Sequence, residues 1–187
     1  ENSGAVQTVY TIAATANDGG TISTYEIGAL EGTDVTLLTL TGNVVKLTAN
    51  PDYETKSSYS FTVTATDAAG TSAETSVTFS ITNVDEVVPT ITSGATGTNL
   101  AENSGAEQTI YTTTATANDG GTISGYTLAG TDAALLTLTG NVVTLNANPD
   151  FESKPTYSFT VTATDAAGTS AETSITFSII NVDEVAP

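Results

Sequence analysis

Carboxylate and amide side chains recur at fixed places in this chain, and one cluster lies near its middle. The segment Asn83-Val84-Asp85-Glu86-Val87-Val88-Pro89 returns as Asn181-Val182-Asp183-Glu184-Val185-Ala186-Pro187. Each copy follows an alternating run of apolar and hydroxyl residues that predicts a strand, and the proline then ends that strand. Hard divalent cations such as Ca²⁺ prefer oxygen ligands, both carboxylates and backbone carbonyls. The first copy is therefore interpreted as the joint between two domains and as a binding site for a divalent cation.

The composition narrows the chemistry that these residues can perform. The net charge is −18, from 21 Asp and Glu against three Lys, so no basic surface exists to meet a nucleic acid or an anionic membrane. The absence of Cys, His, Met and Trp removes disulfides, thiol nucleophiles, Ser-His triads and the usual zinc ligands. No apolar run approaches the roughly 18 residues of a membrane span, so we expect no membrane insertion. Hydrophobic content of 39% predicts a folded protein rather than an acidic tail.

The chain contains an internal repeat. Residues Tyr59–Ser76 and Tyr157–Ser174 share the sequence YSFTVTATDAAGTSAETS at an offset of 98, whereas Glu1–Gly4 and Glu102–Gly105 match at an offset of 101. The first copy therefore carries three extra residues, which we place in a loop within Glu26–Gly32.

The repeat predicts two domains, residues 1–88 and residues 89–187. The first domain has no counterpart of Pro89–Ala101, so it is predicted to lack the first strand of its fold, and we expect a longer array of such units. The lysines beside the acidic motifs, Lys56 and Lys154, are interpreted as charge neutralisation only.

The periodicity predicts an all-β fold. Tyr59, Phe61, Val63 and Ala65 alternate with hydroxyl residues, as in a half-buried strand, and the segment around Gly42-Asn43 predicts a hairpin. No helical period is present. About seven short strands in about 100 residues are typical of an immunoglobulin-like β-sandwich. The inward positions of the matching second-copy strand lead to Asp165, whose side chain we expect at one end of the sandwich.

The order of the acidic motifs resembles the cadherin repeat. Glu-Asn, Asn-Asp-Gly, Asp-x-Glu, Ala-x-Asp and Asn-x-Asp-Glu-x-x-Pro follow one another in both copies, and the best match is Pro51–Glu54 with Tyr59–Asp67. The Thr-rich, Cys-free, nearly identical copies are similar to the cadherin-like domains of large bacterial surface adhesins. The resemblance implies two tandem immunoglobulin-like (cadherin-like) β-sandwiches joined end to end, with Ca²⁺ between consecutive repeats.

The resemblance also implies a set of calcium ligands. At the joint between the two repeats they are Glu1, Asp52, Glu54, Asn83, Asp85, Glu86, the Val84 and Val87 carbonyl groups, Asp119 and Asp165. Towards a preceding repeat they are Asp18 and Asp67, and towards a following repeat they are Glu102, Asp150, Glu152, Asn181, Asp183 and Glu184.

Two departures from the family pattern reduce the number of ligands. Ala117-Asn118-Asp119 stands where the family has Asp-x-Asp, and Asn83-Val84-Asp85-Glu86-Val87 stands where it has Asp-x-Asn-Asp-Asn. The expectation is therefore two or three ions per joint. Taken singly, Asn118–Gly121 and Asp67–Gly70 are ordinary turn sequences, so solvated turns are the competing interpretation.

The leading functional hypothesis is a calcium-rigidified structural repeat in the stalk of a bacterial cell-surface adhesin, extracellular, with neighbouring repeats of the same chain as partners. The alternative is a calcium-dependent binding module with a homophilic or a carbohydrate partner. Exposed Tyr10, Tyr25 or Tyr126 lining one groove would favour a binding module. An enzyme is not expected, because the carboxylates occupy repeated positions instead of one singular cleft.

Overall fold

A computed structural model describes residues 1–30 and 34–184, which pack as two compact units, Glu1–Val84 and Asp85–Pro187. The predicted domain boundary between Val88 and Pro89 stays a prediction. Part of the predicted insertion loop and the final Val185-Ala186-Pro187 lie outside the described residues. Within the described ranges there is no helix of the length and apolarity needed to cross a membrane.

Unit 1 (Glu1–Val84) is built from strands, with one short 3₁₀ turn at Asp34–Leu37. Its strands are β1 (Gln7–Thr11), β2 (Thr24–Gly28), β3 (Leu38–Thr41), β4 (Val44–Leu47), β5 (Ser58–Asp67), β6 (Gly70–Thr71) and β7 (Thr75–Ser80).

The strands of unit 1 form two antiparallel sheets. One sheet has the order β1-β4-β3; in the other, β5 pairs with β2, β6 and β7. The predicted hairpin is confirmed: β3 and β4 pair in register Thr41↔Val44, and Gly42 in the turn has φ +61°, which a glycine adopts without strain. The apolar side chains of both sheets face each other, with Leu47, Val45 and Phe61 fully buried.

Unit 2 (Asp85–Pro187) repeats this arrangement with additional strands at its start and a 3₁₀ turn at Ala133–Leu135. Its strands are β8 (Thr90–Ile91), β9 (Leu100–Ala101), β10 (Gln108–Thr112), β11 (Ala115–Thr116), β12 (Gly125–Ala129), β13 (Leu136–Thr139), β14 (Val142–Leu145), β15 (Thr156–Thr164) and β16 (Thr173–Ile180).

The sheets of unit 2 have the orders β10-β14-β13 and β12-β15-β16-β9, and a short pair joins β8 to β11. Their strands are antiparallel except at the edge, where β9 runs parallel to β16 with Ile179 opposite Leu100. The core contains Phe159, Val161 and Ile175, each at most 2% exposed. The all-β prediction of two sandwiches is thus confirmed.

The two cores use the same aromatic contacts. Tyr59 stacks on Phe79 with ring centroids 5.0 Å apart, and Tyr157 stacks on Phe177 at 4.8 Å. Tyr59, Phe61, Tyr157 and Phe177 are buried, whereas Phe79 is half-buried. Tyr10 and Tyr25 pack against the core of unit 1, so neither stands free as a sugar platform.

Candidate metal centres

Asp165 lies at the end of β15, where the inward series of that strand continues past its last residue. Its side chain is buried, with only 6% of the residue exposed, as the alternation predicts. The Oδ1 atom accepts hydrogen bonds from the backbone amides of Ala167 at 3.0 Å and Gly168 at 3.2 Å. Within the described residues, the buried Oδ2 atom has no hydrogen-bond partner. Oδ1 thus stabilises the turn, whereas the lone pairs of Oδ2 are available to a ligand.

Asp85 is the second carboxylate of this kind in unit 2. Both of its side-chain oxygens are buried and lack a hydrogen-bond partner among the described residues. They lie against the backbone of Gly121: a Cβ atom built on that glycine would stand 2.1 Å from Asp85 Oδ2. Any larger residue at 121 would displace the carboxylate, so the second glycine of the Asn-Asp-Gly-Gly turn makes room for it.

The turn that carries Gly121 is fixed to the segment that carries Asp85. Asn118 Nδ2 donates to the Val88 carbonyl oxygen at 2.9 Å, and the Glu86 amide donates to Asp119 Oδ2 at 3.4 Å. Asp119 itself has φ +57°, a left-handed conformation that Asp tolerates better than most residues.

Val88 connects this turn to the turn of Asp165. Its Cγ1 atom lies 3.2 Å from the position of a Cβ atom on Gly168, while its carbonyl oxygen accepts from Asn118. Asp85, Asp119 and Asp165 therefore belong to one end of unit 2, which we call the entry pole. The distances that would make them a single ligand set stay a prediction.

A buried carboxylate without a donor is costly, since burying an ionised group without compensation is strongly unfavourable. A bound cation removes that cost. The donors here are carboxylate oxygens, and the sequence has neither Cys nor His, which fits Ca²⁺ and does not fit zinc.

The opposite end of unit 2, which we call the exit pole, holds a second acidic cluster. Carboxylate oxygens of Glu102, Asp150 and Glu152 lie within 4.8 Å of one another. They face a cleft of about 440 Å³, large enough for hydrated cations. The cleft is lined by Glu102, Asn103, Asp150, Glu152, Asn181, Val182, Asp183 and Glu184. All six residues predicted to face a following repeat thus line one cleft.

Glu102 is the most buried member of the exit pole, at 4% exposure. Its Oε1 accepts the Val182 amide at 2.5 Å, and its Oε2 accepts the Phe151 amide at 3.0 Å. These two backbone hydrogen bonds hold the pKa of Glu102 below its usual value. The residue therefore stays ionised and ties the Asp150 turn to the segment after β16.

The pKa of the neighbouring Glu152 is raised, in contrast to that of Glu102. Its own backbone amide lowers the pKa of Glu152, but the hydrogen bond with Glu102, burial and the charges of Glu102 and Glu184 raise it by more. Two neighbouring carboxylates that compete for a proton are a pair that a cation would relieve. Asn181 Nδ2 donates to Glu152 Oε1 at 3.2 Å, and Asn103 Nδ2 donates to Glu184.

Unit 1 reproduces the exit-pole arrangement. Oxygens of Glu1, Asp52 and Glu54 lie within 4.8 Å of one another. Glu1 accepts the Tyr53 amide and the Val84 amide, both at 2.6 Å, and these bonds lower its pKa, with Val84 contributing most.

The end of unit 1 that corresponds to the entry pole carries Asp67 and Asp18. Asp67 Oδ1 accepts the amides of Ala69 at 2.8 Å and Gly70 at 3.2 Å, as its counterpart Asp165 does, and Asp67 lines a small cleft with Asn17. Asp18 is exposed on the neighbouring turn.

The predicted joint set divides between the units. Glu1, Asp52, Glu54, Asn83 and Val84 belong to unit 1, whereas Asp85, Glu86, Val87, Asp119 and Asp165 belong to unit 2. Each half has its own hydrogen-bonded framework, and their convergence on shared ions stays a prediction.

The sequence analysis missed two acidic residues, Asp34 and Asp132. Each forms an ion pair with a lysine of the acidic turn: Lys56 Nζ lies 3.0 Å from Asp34 Oδ1, and Lys154 Nζ lies 2.9 Å from Asp132 Oδ1. The interpretation of these lysines as simple charge neutralisation is therefore incomplete. The available signal was a Gly-Thr-Asp sequence at Gly32–Asp34 and again at Gly130–Asp132.

In fold, this chain is similar to solved structures of cadherin extracellular domains. Human protocadherin-24 EC1-2 aligns with a TM-score of 0.69 and 16% identity over 98% of this chain and 92% of that one. Human mucin-like protocadherin EC1-2 gives 0.66 and 18% identity over 97% and 93%. The protocadherin gammaB7 EC3-6 cis-dimer structure gives 0.67 and 20% identity over 99% of this chain.

The shared property is the fold, a pair of cadherin-like β-sandwiches. This chain spans 45% of the gammaB7 chain and 37% of a protocadherin gamma B2 chain, so it corresponds to less than half of those proteins. A scan of protein-family models finds no match, and a search of curated proteins finds no relative.

Proposed function

We propose that this chain is a calcium-binding structural repeat of an extracellular adhesion protein, and specifically part of the stalk of a bacterial cell-surface adhesin. In this proposal Ca²⁺ binds where the exit pole of one repeat meets the entry pole of the next and makes the joint stiff. Two repeats of nearly identical sequence suit a spacer, in which each unit performs the same mechanical task.

The single observation that carries the proposal is the pair of buried carboxylates in unit 2. Asp85 and Asp165 keep three buried oxygens without hydrogen-bond partners in the described part of the chain. Solvated turns, the competing interpretation, would leave such oxygens in water. A cation of oxygen-rich coordination supplies the missing partner.

Calorimetric titration of the whole chain with Ca²⁺ tests this directly. We expect binding, with affinities on the order of 10⁻⁴–10⁻³ M that are typical of extracellular modules. Asp165→Asn removes the charge and keeps the shape, so it should weaken binding. Glu26→Gln, which removes an exposed carboxylate in β2 away from the acidic clusters, serves as the charge-matched comparison. Absence of calcium heat in the unsubstituted chain would overturn the proposal.

Scattering in solution tests the mechanical part. Without Ca²⁺, like charges about 4 Å apart cost on the order of 4 kcal/mol per pair at an effective dielectric near 20, so a chelator should make the chain more flexible. Glu86→Ala should reproduce part of that change while both units remain folded. A maximum dimension and flexibility that do not respond to chelator would contradict the stiffening role.

The homophilic alternative has one observation in its favour, since one similar structure, that of protocadherin gammaB7 EC3-6, is a cis-dimer. Analytical ultracentrifugation with and without Ca²⁺ separates the two candidates: a stalk repeat stays monomeric, whereas a homophilic module self-associates when calcium is present.

A further inference from the structure

The acidic turn supplies Asp52 and Glu54 in unit 1 and Asp150 and Glu152 in unit 2, and in each unit it is followed by a lysine that pairs with a distant aspartate. We propose that Lys56 and Lys154 are positioning residues for the metal-binding turn, acting through ion pairs with Asp34 and Asp132. This inference rests on the proposed calcium function and adds residues that are not themselves ligands.

The turn is closed locally by its own backbone and side chains. In unit 2, the Lys154 amide donates to the Asp150 carbonyl oxygen at 3.0 Å, and Ser153 donates to the Asp150 carboxylate from its amide and its hydroxyl at 2.9 and 2.6 Å. These bonds shape the turn, but they do not anchor it to the sandwich.

The lysine side chain anchors the turn, in addition to the hydrogen bond from the Phe151 amide to Glu102. Lys154 Nζ reaches Asp132 Oδ1 at 2.9 Å and lies 5.0 Å from the ring centroid of Tyr157, a cation–π distance. Asp132 is itself fixed to β15, because its Oδ2 accepts the Ser158 amide at 2.7 Å and its own amide donates to the Ser158 carbonyl oxygen at 3.1 Å. A continuous chain of contacts thus runs from the sheet to the acidic turn.

Unit 1 makes the same anchor from a different local sequence. Lys56 Nζ lies 3.0 Å from Asp34 Oδ1 and 5.1 Å from the Tyr59 ring, and Asp34 Oδ2 accepts the Ser60 amide at 2.9 Å. The turn residues nevertheless differ, with Tyr53 and Thr55 in place of Phe151 and Ser153. The anchor is therefore independent of the residues that vary around it.

Burial distinguishes this pair from an ordinary surface ion pair. The Asp132 side chain is 8% exposed and the Asp34 side chain 13%, while the lysines are 37% and 36% exposed. The aspartate is the buried partner, so it fixes the location of the ion pair. The lysine connects the acidic turn to this aspartate. Exposed pairs rarely contribute this kind of positional constraint.

An electrostatic role and a positioning role of the lysine predict opposite effects of its removal on Ca²⁺ affinity. A lysine beside a cation site repels Ca²⁺, so its removal should tighten binding if it acts only through its charge. If it acts by positioning, its removal should weaken binding, as the loss of residues that orient metal ligands does, typically by 10–100-fold.

The sharpest variant is the double substitution Lys56→Met with Asp34→Asn, which removes one positive and one negative charge together. The net charge is unchanged, and the Asn oxygen still accepts the Ser60 amide, so unit 1 keeps its fold. Tyr53 lies within the turn, so we use Tb³⁺ in place of Ca²⁺ and follow luminescence sensitised by this tyrosine. Tyr53→Phe identifies the part of the signal that comes from this turn.

We expect the half-saturating Tb³⁺ concentration to rise about tenfold or more in the double variant, consistent with the loss of an orienting interaction. Lys56→Arg preserves the ion pair and should remain close to the unsubstituted chain. Circular dichroism of each variant confirms that the sandwich persists.

The outcomes separate the two proposals. A double variant that binds Tb³⁺ as tightly as the unsubstituted chain, or more tightly, overturns the positioning role and leaves the calcium function intact. An unsubstituted chain that binds neither Tb³⁺ nor Ca²⁺ overturns the calcium function and the positioning role together.

Discussion

The last strand of each unit has almost the same sequence but a different environment. In unit 2, β16 pairs with β15 on one side and with β9 on the other, and Ile175 and Phe177 are at most 2% exposed. In unit 1, β7 pairs with β5, and the equivalent Val77 and Phe79 are only half-buried. Among the described residues, unit 1 has no counterpart of the segment that covers β16.

That segment, Pro89–Ala101, is closely fitted to unit 2. Leu100 is 8% exposed in the core, the Gly97 amide donates to the Thr176 carbonyl oxygen at 2.9 Å, and Asn99 Oδ1 accepts the Ser178 amide at 2.8 Å. In unit 1 the corresponding place is a small groove lined by residues such as Val9, Leu47, Phe79 and Ile81. The presence of this short segment therefore determines how much of the last strand is buried.

The largest effect should come from truncating the matched phenylalanines. Phe177→Ala removes a buried ring and should cost about 3–5 kcal/mol of the stability of unit 2. Phe79→Ala should cost unit 1 clearly less, since its ring is already partly in water. Hydrogen-exchange mass spectrometry resolves the two, because the β7 and β16 peptides differ in mass. Equal losses would mean that the edge of β7 is covered in solution.

A substitution in the covering segment should make unit 2 resemble unit 1. A Cβ atom on Gly97 would stand 3.0 Å from the Ile110 carbonyl oxygen and 3.1 Å from Phe177 Cβ. Gly97→Val should therefore displace the segment and cost about 1–3 kcal/mol, typical of overpacking. Thr98→Val is the control, since Thr98 is exposed and keeps its backbone contact. Unchanged exchange in β16 would contradict the fit described here.

Adding the covering segment to unit 1 should make its amide exchange similar to that of unit 2. Residue 101 precedes Glu102, the counterpart of Glu1, so the sequence PTITSGATGTNLA joined before Glu1 reproduces the same junction. Before grafting, amides in residues 8–14 should exchange faster than those in residues 109–115, because β11 pairs with β8. After grafting, the two ranges should become similar; a graft carrying Val at the Gly97 position should have no such effect.

The smallest effect concerns a feature that both units share. The pKa of Asp34 is lowered by the Ser60 amide and then by Lys56. For Asp132, burial raises the pKa, but Lys154 and the Ser158 amide lower it by more. A carboxyl group with a lowered folded-state pKa stabilises above its unfolded value, near 3.8, and this stabilisation is lost as pH falls through the folded pKa.

We therefore expect acid titration below about pH 4 to destabilise both units alike, and Asp34→Asn or Asp132→Asn to flatten the response of its own unit only. Unit-resolved hydrogen exchange as a function of pH measures this. A response confined to one unit of the unsubstituted chain would show that the two pairs are not equivalent.

Much of the fold was predictable because strand alternation and turn residues are local signals. The inward position of Asp165 followed from counting along one strand, and the hairpin followed from Gly42-Asn43. The parallel pairing of Leu100 with β16 did not follow, since nothing in a two-residue strand shows its partner.

The candidate ligands of the site were predictable from the sequence, but the contacts that position them were not. The carboxylates follow a repeated motif order, but the partners of Lys56 and Lys154 are about 22 residues upstream in sequence and meet them only when the sandwich closes. Asp85 against Gly121 likewise depends on a backbone contact that no sequence period reports.

The parallel pairing of β9 with β16 also determines how unit 2 responds to tension. The first strand of the sheet and the last lie side by side and run the same way, so a force that pulls the two ends of the unit apart slides one strand along the other. Their interstrand bonds then carry the load together instead of opening one after another. Resistance to such pulling is governed by the rate of unfolding rather than by equilibrium stability. Among the described residues this parallel pair is found in unit 2, and it gives that unit its resistance to shear.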